Sequence, residues 1–471
     1  MARLLLLVLG LGAAGMLTLG GAGSAGGTQP ERAPASVKGA PAKTLRVLRS
    51  NPRYFTAGSG RAVYLTGSHV WWNLVGARTW KSNCERGRVE PFDFDEHLDR
   101  LEWHNHNFIR LWAIELTRWE ECGETVTVAP QPWLRTGPGR ALDGLPKFDL
   151  SRFNPAYFRR LRQRVLAARA RGFYVSVMLF EGWGLQWQGD WRWRSHPFHR
   201  PNNVNEVEAD ANQDGTGIEA HTLAVPRVTR IQDAYVRRVL GAVNDLDNVL
   251  YEIANESGVY STAWQYHMIE LVRREMRRRA KSHPVGMTFQ HAHGSNQALL
   301  DSRADWISPF GLEYLSDPAP ANGRKVVLMD TDHQCGGCGD PTFPWRSFLR
   351  GYNPIYMDEM DDEPRKWAIR SALGQTRRYA DRIDLAHMRP LVELASTRYV
   401  LAAPGREYLV YQPDGGPFDL DLGTTRASYQ VEWFDPGLDR VIQADPVPGG
   451  GVVTFTPPIE GQAVLYLERR Q

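Results

Sequence analysis

The chain has 471 residues, 42% of them hydrophobic and 23% charged, with 56 Lys and Arg against 53 Asp and Glu. That length supports a large core, one big domain plus a small one. A net charge of +3 spread over it gives no field that would gather nucleic acid or an anionic membrane, and the compositional excess is instead the 16 tryptophans, many of them in short polar segments.

The first element in chain order is not structural. Arg3 is followed by "LLLLVLGLGAAGMLTLGGAGSAGG", a positive charge, an apolar segment and then a small-residue zone. This is the pattern of a secretory signal peptide over residues 1–25. The Pro, Gly and Ala of residues 26–44 read as a linker. The expectation is an exported protein, secreted or periplasmic, with no membrane association once the signal is removed. Export suits the four cysteines, Cys84, Cys122, Cys335 and Cys338. An even number in an exported chain favours disulfides, paired Cys84–Cys122 and Cys335–Cys338. Cys335-Gly-Gly-Cys338 is also compatible with half a zinc site or a redox pair, but Cys84 and Cys122 lack a matching spacing.

Residues 45–391 alternate β-type apolar runs with amphipathic helical runs. The eight strand candidates begin with "AVYLTG" (62–67), "NFIRLWAIEL" (107–116), "FYVSVMLFEGWG" (173–184) and "NVLYEIANE" (248–256). They continue with "PVGMTFQH" (284–291), "ADWISPF" (304–310), "KVVLMDTDH" (325–333) and "NPIYMDEM" (353–360). Most are continuous apolar runs, as parallel strands buried on both faces require. Asn154-Pro155 predicts an N-cap with Pro at the first helical position, and Gly172 ends that helix before the third strand. Eight such alternations predict a (β/α)8 TIM barrel. From residue 392 to 471 the texture changes to seven short β-type runs between Pro-Gly-Asp turns, which predicts a small antiparallel β-sandwich domain.

In barrels the functional rim lies at the C-terminal strand ends. Here those ends carry His69, Trp71 and Trp72, then Arg110, Trp112 and Glu115, then Glu181 and Trp183. Asn255-Glu256 closes strand four, Gln290, His291 and His293 close strand five, Asp330, Asp332 and His333 close strand seven, and Asp358-Glu359 closes strand eight. Carboxylates on opposite strands suit glycoside hydrolysis, in which one acid protonates the leaving oxygen and a second carboxylate attacks or activates water. Tryptophan faces supply platforms for sugar rings.

Asn255-Glu256 closing strand four resembles the acid/base motif of clan A glycoside hydrolases. "YLTGSHVWWNL", Arg110 and "SNQALLDSRADWISP" are similar to the apiosidase-like and cellulase-like (β/α)8 members, and "YLVYQPDGG…YQVEWFDP" to a C-terminal module of the putative collagen-binding type. The resemblance implies a glycosidase with Glu256 as general acid/base, Asn255 orienting the sugar 2-hydroxyl, and Arg110 keeping the nucleophile ionised. Strand seven departs from the pattern: it offers Asp330 and Asp332 where most of the clan place Glu, with Asp332, farther out, the better candidate. The implied partner is an oligo- or polysaccharide substrate, contacted by Asn255, Arg110, His69, Trp72, Trp112, Glu181, Trp183, Gln290, His291, His333 and Glu359, with no cofactor and no metal.

Two other readings use the same residues. A metal-dependent hydrolase finds a foothold in His104-Asn-His106 and His291-Ala-His293, although the first pair precedes strand two and so belongs on the opposite rim. A non-catalytic carbohydrate-binding barrel would explain the missing strand-seven Glu. "DANQDG" (210–215) opens like a calcium loop, but its twelfth position is His221 rather than Glu, so a polar turn is expected.

Overall fold

The computed structural model describes residues 43–75, 92–121, 124–186, 191–291 and 293–470. The expected signal segment, most of the linker, and Cys84 and Cys122 lie outside the described residues. Eight parallel strands form one sheet in sequential order, each followed by a helix. The strands are β1 (Gly67–His69), β2 (Phe108–Leu111), β3 (Tyr174–Glu181), β4 (Val249–Asn255), β5 (Val285–Thr288), β6 (Trp306–Ser308), β7 (Val326–Asp330) and β8 (Asn353–Met357). The helices are α1 (Phe94–Trp103), α2 (Pro155–Ala170), α3 (Pro226–Val243), α4 (Thr262–Met276), α5 (Asn296–Asp301), α6 (Glu313–Ser316), α7 (Phe343–Leu349) and α8 (Pro364–Arg382). The expected TIM barrel is therefore present.

Local chemistry explains the elements. The Asn154 side chain accepts the Ala156 N–H, with Pro155 opening α2, and Gly172 then turns the chain at φ +79°. All residues of β3 and β4 are buried, including Ser176, Glu181, Glu252 and Asn255 among their apolar majority. Between β2 and α2 the chain makes two antiparallel hairpins, Arg118–Glu121 with Glu124–Thr127 and Trp133–Arg140 with Pro146–Phe153, which build up the rim on that side.

The ladder is continuous from β2 through β3 around to β8 and β1, but no ladder joins β1 to β2. Side chains close that seam. Asn107 accepts the Thr66 N–H and donates to the Tyr64 carbonyl, while its own N–H reaches the Thr66 carbonyl. His106 accepts the Ser68 N–H at Nδ1 and donates from Nε2 to the Arg370 carbonyl of α8. At the other end Asn73 donates to the Arg110 carbonyl and accepts the Trp112 N–H. Gly67 permits the approach, since a Cβ there would lie 2.2 Å from the Phe108 carbonyl oxygen.

The C-terminal strands are β9 (Arg389–Pro390), β10 (Val400–Ala403), β11 (Glu407–Gln412), β12 (Phe418–Asp421), β13 (Ser428–Asp435), β14 (Arg440–Pro448), β15 (Val452–Phe455) and β16 (Ala463–Arg469). Six of them form an antiparallel sheet in the order β9-β10-β11-β16-β13-β14, and β12 pairs with β15. One face of this module is welded to the barrel's outer helices. Trp345 of α7 stacks on Tyr411 at 6.0 Å, and Glu432 accepts from Tyr379 and Arg382 of α8. Gly67→Ala is expected to cost about 2 kcal/mol by overpacking the seam. The check is the urea midpoint of the purified protein; an unchanged midpoint would show that β1 and β2 can part freely.

Candidate active site

β2 delivers Arg110 to the barrel interior, where its guanidinium is buried and stacks 4.8 Å from the Trp112 ring centroid. All five of its N–H donors are used. Nε and one Nη2 hydrogen reach the two oxygens of Glu252 at 3.0 and 2.5 Å, and the other Nη2 hydrogen reaches Asn255 Oδ1 at 2.7 Å. Nη1 reaches Asp330 Oδ2 at 3.1 Å and Asp332 Oδ2 at 2.8 Å. Burial opposes the charge, but Glu252, Asp330 and Asp332 hold the guanidinium well above its usual range.

Asp330 ends β7 with both oxygens engaged. Oδ1 receives the Asp332 N–H at 3.0 Å and lies 2.9 Å from His69 Nε2. Trp112 donates its indole N–H to His69 Nδ1 at 3.0 Å, which leaves Nε2 as the nitrogen that donates to Asp330. Burial alone would raise the Asp330 carboxyl, but His69 and Arg110 pull it well below the usual carboxylate range. Asp332 opens the short helix Asp332–Cys335, which the Cys335–Cys338 disulfide follows, and its carboxylate touches Arg110. Burial and the charge of Asp330 raise its proton affinity, with Arg110 opposing.

β4 ends at Asn255, whose Oδ1 takes two donors, Arg110 and His333 Nε2 at 3.1 Å. That fixes the amide so that its NH2 is the free end. His333 is itself held by the Ser308 hydroxyl at 2.7 Å, and burial depresses it to about 3. The next residue, Glu256, sits at φ +47°, a left-handed conformation costing a non-glycine residue about 1–2 kcal/mol. Burial, then Asp332, then Glu181 push its carboxyl well above the usual range.

A second network lies behind Glu181. Its oxygens accept the N–H groups of Trp183 and Gly184, and its own N–H donates to Glu115 Oε2. Glu115 also takes His221 Nε2 at 2.9 Å, and His221 Nδ1 meets the Ser257 hydroxyl at 2.8 Å, one residue beyond Glu256. Burial raises Glu115, but His221 and His196 override it and bring it to about 2. Burial and the resulting charge on Glu115 then drive Glu181 up to about 8. His221, at the broken twelfth position of the calcium-like loop, thus serves this network. The loop satisfies itself, with Asp210 accepting the Asp214 and Gly215 N–H groups.

Trp71, Trp112, Ile114, Trp119, Glu181, Trp183, Asn255 and Glu256 line a narrow cavity at the rim. The four indoles pack against one another, Trp71 on Trp112 and Trp119 on Trp183 nearly parallel, at 5.7 and 5.8 Å. The structure thus brings Glu256, Asp330, Asp332, Asn255, Arg110, Glu181, Trp112 and Trp183 together. Other expected contacts sit differently. Trp72 is buried against Trp119. His69 and His333 are buried and hold Asp330 and Asn255. Gln290 is buried and binds Ser261, Thr262 and the Gly258 carbonyl. Glu359 pairs with Lys366, and only His291 of that group is half-exposed near Glu256, 3.9 Å from its Oε1. His104 and His106 lie at the N-terminal end of β2, against α8. Among the described residues no cluster of three or more His, Cys, Asp or Glu is arranged to hold a metal ion.

Sequence reading missed Glu252 and Trp119. Glu252 is the lone charge inside the apolar run of β4, which is the signal that marks a buried partner for Arg110. Trp119 lies in a hairpin with no strand-end position to flag it.

Two family profiles match parts of the chain. Residues 126–290 match a domain of unknown function (DUF6298), and residues 392–467 match the "putative collagen-binding domain of a collagenase". Curated protein sequences give no match. Among solved structures, the fold is similar to a glycoside hydrolase family 5 protein from Bacteroides vulgatus ATCC 8482, at 10% identity and TM-score 0.57, covering 91% of this chain and 94% of that one. A second protein from the same organism, described as a "putative glycoside hydrolase", matches at 13% identity and TM-score 0.60, covering 91% and 82%. At such identities the likeness speaks for the fold, and at that level it agrees with the clan A resemblance read from the sequence.

The Glu181 carboxyl has a consequence for stability. Its folded pKa, about 8, is above the ordinary carboxyl value, so the folded state holds a proton that the unfolded state has lost. Stability contributed by this group is therefore present below about pH 4.5 and falls as pH rises to 8. Urea unfolding at pH 5 and pH 8 should show Glu181→Gln flattening that decline; an identical slope in both proteins would refute the raised value.

Proposed function

We propose that the chain is an exported glycoside hydrolase that cleaves O-glycosidic bonds by a two-carboxylate mechanism. The observation that carries this reading is the asymmetry of Arg110. It touches Asp332 and Asp330 but not Glu256. A cation beside one carboxyl and not the other drives their protonation states apart, which is the division of labour that acid–base hydrolysis needs. Export is read from the N-terminal segment alone.

In this mechanism the Glu256 carboxyl gives its proton to the glycosidic oxygen as the bond to the anomeric carbon breaks. The Asp332 carboxylate, charge-balanced by Arg110, either bonds to that carbon or removes a proton from the attacking water. The free NH2 of Asn255 faces the sugar 2-hydroxyl, and the indoles supply flat apolar walls. Asp330 acts by fixing Arg110 and His69. The low-dielectric surroundings strengthen each of these interactions.

The test is a panel of 4-nitrophenyl glycosides and plant and microbial polysaccharides, with proton NMR of the first anomer released. Retention identifies Asp332 as nucleophile, inversion as base. Glu256→Gln should lose about 10²–10⁴ in kcat/KM on unactivated glycosides, and less on 4-nitrophenyl leaving groups that need little protonation. Asp332→Asn should lose a similar factor on both. Turnover abolished by a chelator would instead support a metal-dependent hydrolase, and sugar binding with no turnover a non-catalytic barrel.

A further inference from the structure

On the β5–β6 side of the rim, away from the tryptophans, a second aromatic surface is built. Phe289 follows β5 directly, and its ring stacks on Phe310, two residues past β6, with centroids 4.9 Å apart and planes 27° from parallel. Phe310 is 41% exposed. A single exposed apolar residue means little by itself. What distinguishes this one is how its backbone is held.

Two side-chain amides clasp the turn. Asn296, in the first turn of α5, donates from Nδ2 to the Phe310 carbonyl at 2.7 Å and accepts the Phe310 N–H at 3.0 Å. Gln334 donates to the Pro309 carbonyl at 2.7 Å and accepts the Gly311 N–H at 2.8 Å. Gln334 is buried in the same short helix that carries Asp332 and His333, and His333 binds Ser308 just before the turn. Each residue from Ser308 to Gly311 is thus tied to the Asp332 helix or to α5. An exposed loop is ordinarily the least constrained backbone in a domain. Here four hydrogen bonds lock a loop whose apex is a water-exposed phenyl ring, and the lock is shared with a candidate catalytic residue.

We infer that the Phe289–Phe310 pair is a preorganised platform for the leaving group, and that the substrate's leaving group is itself a ring with a flat apolar face, a second sugar residue rather than a small alcohol. This rests on the proposed hydrolysis for its direction. Glu256, which would protonate the leaving oxygen, directly follows β4, and His291, 3.9 Å from it, lies two residues beyond Phe289 in the segment that follows β5. The tryptophan cavity then holds the glycone and the phenylalanines the leaving group, with Glu256 between them. Fixing the loop in advance reduces the ordering cost on binding.

The test has a binding arm and a turnover arm. In the Glu256→Gln background, saturation-transfer NMR and calorimetry with cello-, xylo-, manno- and arabino-oligosaccharides should show roughly tenfold weaker binding when Phe310→Ala is added. Asn296→Ala should reproduce part of that loss without touching the ligand. With the wild-type acid, Phe310→Ala should lower the preference for a disaccharide over the methyl glycoside of the same sugar, with Phe310→Trp restoring it. Equal oligosaccharide binding with and without Phe310, or no binding of any oligosaccharide, overturns the platform. Binding that depends on Phe310 with no turnover of any glycoside leaves the platform standing and overturns the hydrolase reading instead. A preference for 4-nitrophenyl over disaccharide leaving groups that Phe310→Ala abolishes would overturn the assignment of a sugar.

Discussion

The geometry of this rim depends on one guanidinium that has run out of hydrogen atoms. Arg110 commits five donors to four partners on two strands and the turn beyond one of them, and every group it touches is buried. A lysine could not replace it, because one ammonium has three donors and no fork to hold Glu252 in bidentate fashion. Nor does the ion pairing by itself make the protein stable, since desolvating so many charges costs as much as their attraction returns. Its effect is on position: Asn255, Asp330 and Asp332 cannot rotate without leaving a buried charge uncompensated.

Charge balance follows from the same count. Glu252, Asp330, Asp332, Glu181 and Glu256 surround a single buried arginine, and His333, neutral by burial, offers no second cation. Five negative charges cannot share one positive charge in a low dielectric, so protons must remain on some of the carboxyls. The two that Arg110 does not touch, Glu256 and Glu181, are pushed well up, and Asp332 is raised despite the opposition of Arg110. The Glu115–His221–Ser257 chain sharpens this, because an ionised Glu115 beside Glu181 repels a second charge there. The same chain grips either side of the site, at the Glu181 N–H and at the Ser257 hydroxyl. It helps to hold Glu256 in its left-handed conformation, which an isolated turn would not sustain.

Much of this was legible in the sequence, and for identifiable reasons. Seven of the eight barrel strands fall within the expected apolar runs, because parallel strands buried on both faces leave no other pattern, and the Asn154-Pro155 cap needed nothing beyond its neighbours; β1, Gly67–His69, meets its expected run (62–67) only at Gly67 and continues into polar residues. The seven C-terminal runs likewise became strands, while the added β9 is too short to carry a pattern. The rim was legible as a set of strand ends. What individual rim residues do was not, because role depends on which way a side chain turns. His69, His333 and Gln290 occupy rim positions, yet they face protein polar groups and not the cavity. Glu252 was hidden for the opposite reason: it sits within an apolar strand, and only the fold places Arg110 opposite it. Nothing local in the sequence marks the seam between β1 and β2 either, since its stitches join residues about 40 positions apart.

The strand-seven aspartates illustrate how a departure from a family pattern can be absorbed by geometry. Asp330 stands at the strand end, where the clan's glutamate would be expected, but its two oxygens are taken up by His69, Arg110 and the Asp332 amide. Such a carboxylate is a poor reactant, since using Oδ2 would break the contact with Arg110 and using Oδ1 those with His69 and the Asp332 amide. Asp332 lies two residues farther along, in the helical turn beyond the strand, and only its Oδ2 is engaged, by Arg110. A site that divides the work in this way needs both aspartates. One holds the arginine, and the arginine in turn bonds the other and opposes its protonation.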